Sequence, residues 1–91
     1  MKELRELLVG LERDAEAVAG DLARAREDVA SWEARAIKEL GLGNDPAAKE
    51  ALLRCREHGE TIERLEADLT VTTALIAECR EVLAKTPPNP A

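Results

Sequence analysis

Apolar residues recur at alternating spacings of four and three along two stretches of the chain. The first series runs from Leu4 to Ala36 and the second from Ala51 to Leu83. Because an α-helix has about 3.6 residues per turn, this spacing keeps the apolar side chains on one side of a helix and is typical of a coiled-coil seam. The pattern predicts two long helices, each with one apolar seam.

The two seams contain ten residues each. The first consists of Leu4, Leu8, Leu11, Ala15, Val18, Leu22, Ala25, Val29, Trp32 and Ala36. The second consists of Ala51, Cys55, His58, Ile62, Leu65, Leu69, Thr72, Ile76, Cys79 and Leu83. If the helices lie antiparallel, Ala36 pairs with Ala51 and Leu4 with Leu83, and the midpoint of the pairing falls between Gly43 and Asn44. The seams therefore predict an antiparallel hairpin with a central turn.

Glycine and proline predict a turn at the same point. Gly41 or Gly43 can adopt the left-handed conformation that ends a helix. Asp45 can accept hydrogen bonds from the first N–H groups of the next helix, and Pro46 suits a first helical turn. We expect the turn to be formed around these four residues.

These signals define a single domain over residues 1–86. Within it we expect one helix over 2–40, a turn at 41–46 and a second helix over 46–85. The last residues, 87–91, contain three prolines and are expected to form a flexible tail.

Composition and charge narrow the fold class and the function. The sequence is 45% hydrophobic but only 1% aromatic, so the residues that favour strands are scarce and an all-α fold is expected. With 13 Lys and Arg against 19 Asp and Glu, the net charge of -6 disfavours nucleic-acid binding. The longest uncharged stretch, Leu69 to Ala77, is too short to span a membrane, and the N-terminus lacks a signal-peptide pattern. We therefore expect a cytoplasmic protein.

The larger seam residues are the predicted hairpin core. They are Leu8, Leu11, Val18, Leu22, Val29, Trp32, Cys55, Ile62, Leu65, Leu69, Ile76 and Leu83. Other seam positions carry Ala, Thr or His, and two helices share only one seam, so a single hairpin buries little apolar surface. We therefore predict that the antiparallel two-helix coiled-coil hairpin associates into a four-helix or larger bundle.

A second apolar stripe, outside the seam, is the surface predicted for self-association. Its large members are Leu7 and Val9 in the first helix and Val71, Leu75 and Val82 in the second, so most lie at the open end of the hairpin. Toward the turn the stripe continues through Ala19, Ala23, Ala30 and Ile37. The alternative is that these are scattered surface residues, which are common in soluble proteins.

Candidate chemistry is sparse. Cys55 and His58 are three residues apart and could contribute two zinc ligands, but a structural site needs four, and Cys79 lies about seven turns away. A buried cysteine and a histidine at the seam edge are the simpler interpretation. No Ser–His–Asp set and no glycine-rich phosphate loop is recognisable. We expect neither an enzyme nor a bound cofactor or metal.

A tryptophan and the residues around the turn follow an order known from one family. The order is Trp32, Ala36, Leu40, Gly41 and Asp45, then Ala47–Ala48–Lys49–Glu50–Ala51–Leu52 and Ile62–Glu63–Arg64–Leu65–Glu66. Over residues 32–69 only, this order and spacing resemble the helical hairpin of the phage shock protein A family, bacterial relatives of the ESCRT-type membrane-remodelling proteins.

The resemblance implies a hairpin scaffold that binds a larger family member, a regulator or a membrane-stress assembly. Members of that family are more than twice this length, with a membrane-inserting N-terminal helix and later helices that drive polymerisation. Residues 1–12 could lie on a membrane through Leu4, Leu7, Leu8 and Leu11. Three of these four leucines belong to the seam, which argues against a dedicated membrane contact.

The leading hypothesis is a non-enzymatic, self-associating scaffold or adaptor in a phage-shock-like envelope-stress or membrane-associated assembly. Its expected partners are further copies of itself and a larger coiled-coil or regulatory protein, and its location is cytoplasmic or peripheral at the inner membrane. One alternative is a small secretion substrate or secretion chaperone with Trp-x-Gly at its turn, but Trp32 is followed by Glu33 and Ala34 within the helix. Another alternative is a mobile-element inhibitor protein, but no residue pattern in the sequence favours it.

Overall fold

Two long helices pack side by side in a computed structural model that describes residues 2–86. The first, α1, spans Lys2–Gly41 and the second, α2, spans Asp45–Lys85. They form an extended rod of 75 × 14 × 14 Å, and residues 2–86 contain no strand. The predicted all-α helical hairpin is confirmed. The tail predicted at 87–91 lies outside the described residues.

A short connection closes α1 with a Schellman motif. The N–H of Gly43 donates to the carbonyl oxygen of Leu40 at 3.1 Å, and that of Asn44 donates to the carbonyl oxygen of Glu39 at 2.9 Å. Gly43 has φ of 74°, the left-handed conformation that this motif requires. Of the two glycines considered for this role, Gly43 fills it, and Gly41 is the last residue of α1.

The start of α2 differs from the sequence expectation. Asn44, rather than Asp45, is the N-cap, and its side-chain oxygen accepts a hydrogen bond from Ala47 N–H at 3.3 Å. Asp45 is the first helical residue, where its carboxylate complements the positive end of the helix dipole. Asn44 thus completes α1 with its backbone and caps α2 with its side chain. This double role leaves only Leu42 to Asn44 between the helices, a shorter turn than 41–46.

The seam residues are the least exposed parts of both helices. All twenty are buried or half-buried. The buried ones, each 6% exposed or less, are Leu22, Ala25, Ala36, Ala51, Ile76 and Cys79. Near the turn, Ala48 is also buried, so three alanines bring the backbones of the two helices together there. The remaining predicted core residues are half-buried, because a hairpin of two helices covers each seam from one side only.

Two thiols contact the backbone of the opposite helix. Cys55 Sγ lies 3.8 Å from the carbonyl oxygen of Val29, and Cys79 Sγ lies 3.4 Å from that of Leu4. Each contact joins residues within one seam position of the antiparallel pairing drawn from the sequence. Both cysteines are free thiols in the structure.

Trp32 occupies its seam position only partly. Its side chain is half-buried, and the guanidinium carbon of Arg35 lies 5.6 Å from the ring centroid. This distance suits a cation–π contact, in which the ring face attracts the positive charge. One side of the indole therefore packs against the seam, and the guanidinium group of Arg35 lies over the ring.

Gly43 provides a test of the turn with a matched control. We expect Gly43→Ala to lower the free energy of unfolding by about 1 to 2 kcal/mol, because an L side chain disfavours the left-handed conformation. Gly41→Ala should leave stability unchanged or raise it by up to about 1 kcal/mol, because Gly41 is helical. A Cβ at either position meets no atom within 4 Å, so steric clashes do not complicate the comparison. Urea unfolding monitored by circular dichroism at one protein concentration measures the free energy of unfolding of both variants. Equal stability of the two variants would contradict the Schellman motif at Gly43.

Leu65 provides a test of the seam. It is half-buried, and the predicted pairing places it opposite Leu22. Leu65→Glu should lower the free energy of unfolding by about 3 kcal/mol or more, since it removes apolar contacts and places a charge in the seam. Ala67→Glu adds the same side chain at an exposed position and serves as the control. Thermal melting followed by circular dichroism compares them, and an unchanged melting temperature for Leu65→Glu would refute this seam.

Candidate interaction surfaces

The seam divides the remaining surface of the hairpin into two faces. We define the front face as the residues that immediately precede a seam residue, and the back face as those that immediately follow one. Successive helical residues are rotated by about 100°, so the two sets project to opposite sides of the seam. Because the helices are antiparallel, the front residues of α1 and α2 lie on the same side of the hairpin, as do the back residues.

Polar side-chain contacts between the helices agree with this division. On the back face, Arg26 and Glu66 lie 3.6 Å apart, and Arg80 and Glu12 lie 3.5 Å apart. Near the front face, His58 Nδ1 lies 3.9 Å from a carboxylate oxygen of Asp28. All these side chains except His58 are about half exposed or more, so each pair adds little stability in water. Their value here is that they fix which residues share a side.

An apolar groove lies on the front face at the open end of the hairpin. Its exposed apolar members are Leu7 from α1 and Leu75 and Val82 from α2. The rest of its lining is Leu4, Leu11, Glu78 and Cys79. Leu4, Leu11 and Cys79 are seam residues, so the floor of this open-end groove is the seam itself. One acidic side chain, Glu78, interrupts the otherwise apolar lining.

The structure separates the predicted self-association residues into groups. Leu7, Leu75 and Val82 line the open-end groove together. Val71 lines the next depression along the front face, with Asp14 and Asp68 on its sides. Val9 immediately follows the seam residue Leu8, so it lies on the back face, toward the outer side of α1. Its neighbours there are Lys2, Arg5, Glu6, Gly10 and Arg13.

The continuation of the predicted stripe lies on the other face. Ala19, Ala23, Ala30 and Ile37 each follow a seam residue and therefore belong to the back face. Apart from Val9, the predicted stripe therefore consists of two surfaces, one toward the open end on the front face and one toward the turn on the back face. Angular position relative to the seam is the signal that separates them.

A second apolar surface surrounds the turn, and of its residues only Ile37 belonged to the predicted stripe. Ile37 is 72% exposed, Leu40 is 56% exposed and Leu52 is 54% exposed. All three are back-face residues, since Leu40 follows the half-buried Glu39, which continues the seam spacing. Leu42, 70% exposed, is the first residue of the connection between the helices. We call these four residues the tip patch; Leu53 is also exposed but lies on the outer side of α2.

The residues weighed for chemistry do not converge. Cys55 contacts a backbone carbonyl and His58 faces Asp28, while Cys79 lies at the opposite end of the rod. Within residues 2–86, no three His, Cys, Asp or Glu side chains are grouped so as to hold a metal ion. At the start of α1, a backbone hydrogen bond lowers the pKa of the Glu3 carboxyl from its usual value. The residues weighed for chemistry thus lie at separate places along the rod.

Within the described residues, neither helix contains an apolar segment long enough to cross a membrane. The fold and its surfaces thus define an extended coiled-coil hairpin with exposed apolar surfaces at both ends. The family model described as the PspA/IM30 family matches residues 1–89. The chain belongs to the PspA/IM30 family, which confirms the resemblance seen around the turn and extends it along the hairpin. No curated protein and no solved structure matches the chain.

Proposed function

We propose that the chain is a non-enzymatic scaffold subunit that self-associates through the open-end groove. The observation that carries this proposal is the groove itself, where Leu7, Leu75 and Val82 expose 55%, 43% and 51% of their surface side by side. Covering half of such a side chain contributes roughly 1 kcal/mol, so one contact that covers all three on each copy supports association.

The thin core of the hairpin also favours association. Among the described residues, no large side chain is fully buried, and most seam residues are only half-buried. A single layer of contacts between two helices therefore leaves apolar surface that a further helix can cover. Additional copies of the chain supply such helices.

Membership of the PspA/IM30 family supports a place in a phage-shock-like assembly. The proposed location is the cytoplasm, peripheral at the inner membrane. The proposed partners are further copies of the chain and a larger coiled-coil or regulatory protein, since exposed apolar stripes on helices bind other helices.

Leu75 provides the test of this surface. We expect Leu75→Glu to keep the helical circular dichroism of the wild type and to lower the oligomeric mass to that of the monomer, because the new carboxylate would lie in a contact that excludes water. Light scattering behind size exclusion across a concentration series measures the mass. Val9→Glu is the matched control, since Val9 is 47% exposed but lies outside the groove. A Leu75→Glu variant with the wild-type mass, or a wild type that is monomeric at all concentrations, would overturn the proposal.

A further inference from the structure

The tip patch and the open-end groove lie at opposite ends of the rod and on opposite faces of it. The patch lies on the back face at the turn, and the groove lies on the front face at the other end of the rod. When a second hairpin is stacked on the front face in the same orientation, its back face meets the front face of the first. A shift along the rod then brings the tip patch over the groove.

Helix geometry gives the size of that shift. Leu7 in the groove and Leu40 in the tip patch are 33 residues apart on α1, which corresponds to roughly 50 Å at about 1.5 Å per residue. The rod is 75 Å long, so neighbouring copies overlap over about one third of their length. The overlap contains both apolar surfaces and leaves the middle of each hairpin outside the contact.

Charge also favours this pairing over a contact between two grooves. The open-end arms, residues 2–22 and 66–86, contain five basic and ten acidic residues, a net charge of -5. The segment around the turn, residues 33–56, contains five basic and four acidic residues, a net charge of +1. Two open ends therefore repel each other, whereas an open end does not repel a tip.

Charged side chains beside the two surfaces also differ in sign, with acidic residues at the groove and basic residues at the tip patch. Asp14, Asp68 and Glu78 lie in or next to the open-end groove. Lys49 and Arg56 flank Leu52 of the tip patch at helical spacings of three and four. Among residues 2–86, neither Lys49 nor these three acids takes part in an ion pair within the hairpin.

We propose that the tip patch of a second copy occupies the open-end groove. The inference rests on the proposed self-association and specifies its geometry. The contact joins two different surfaces, so each copy keeps one free groove or one free tip after binding a neighbour. Repetition of the same shift produces a staggered, open-ended assembly rather than a closed dimer.

The test uses two variants that each remove one surface. Leu75→Glu removes the groove and Ile37→Glu removes the tip patch, so we expect each variant alone to be monomeric. A mixture of the two should form a heterodimer of twice the monomer mass and grow no further, because one intact groove and one intact tip remain to pair. Light scattering behind size exclusion measures the masses, and circular dichroism verifies that both variants remain helical.

The outcomes separate the two proposals. If Leu75→Glu is monomeric but Ile37→Glu retains the wild-type mass, self-association stands and the tip is not the occupant of the groove. If both variants are monomeric but the mixture forms no heterodimer, the pairing of tip with groove is likewise overturned. If the wild type itself is monomeric at all concentrations, self-association fails as well. Leu53→Glu, an exposed leucine near the turn but on the outer side of α2, is the control and should assemble as the wild type does.

Salt provides an independent measurement of the charge argument. Because the facing ends carry unlike charge, added salt should weaken the heterodimer formed by mixing the two variants. We expect its dissociation constant to rise several-fold between low salt and about one molar sodium chloride, where the Debye length falls to about 3 Å. A dissociation constant that falls with salt would indicate that like charges face each other, and would refute this pairing.

Discussion

The apolar seam is the constraint on which the rest of the molecule depends. It fixes which sides of the two helices meet, and small residues such as Ala36 and Ala51 allow the backbones to approach closely near the turn. Once the seam is fixed, every other residue has a defined angle around the hairpin. The front face, the back face and their apolar surfaces follow from that angle, so one register determines both the fold and its candidate contacts.

Much of the fold follows from the sequence because the seam and the turn are local signals. The spacing of the apolar residues predicts the hairpin, and glycine at position 43 takes the left-handed conformation expected at a helix end. The cap differs because Asn44 and Asp45 are both good N-cap residues, and sequence alone does not rank them. The structure selects Asn44, whose backbone N–H already closes α1, so a single residue satisfies both helix ends.

The interaction surfaces were harder to predict, because the apolar character of a residue does not show where it lies around the helix relative to the seam. Val9 and Leu7 are two residues apart, yet on a helix they lie about 160° from each other, so only Leu7 reaches the groove. Leu40 and Leu52 entered the sequence argument only as positions shared with a family. Their exposure shows that the residues carrying that resemblance also form a surface.

The proposed self-association would use side chains that also hold the hairpin together. Leu4, Leu11 and Cys79 belong to the seam and also form the floor of the open-end groove. A neighbour that fills the groove therefore covers seam residues that the hairpin alone leaves partly exposed. Binding to the folded state stabilises it by mass action, so the stability of the open end should increase with protein concentration if the groove is the contact. In the proposed contact, a neighbouring copy would therefore supply the second layer that the half-buried seam of a single hairpin lacks.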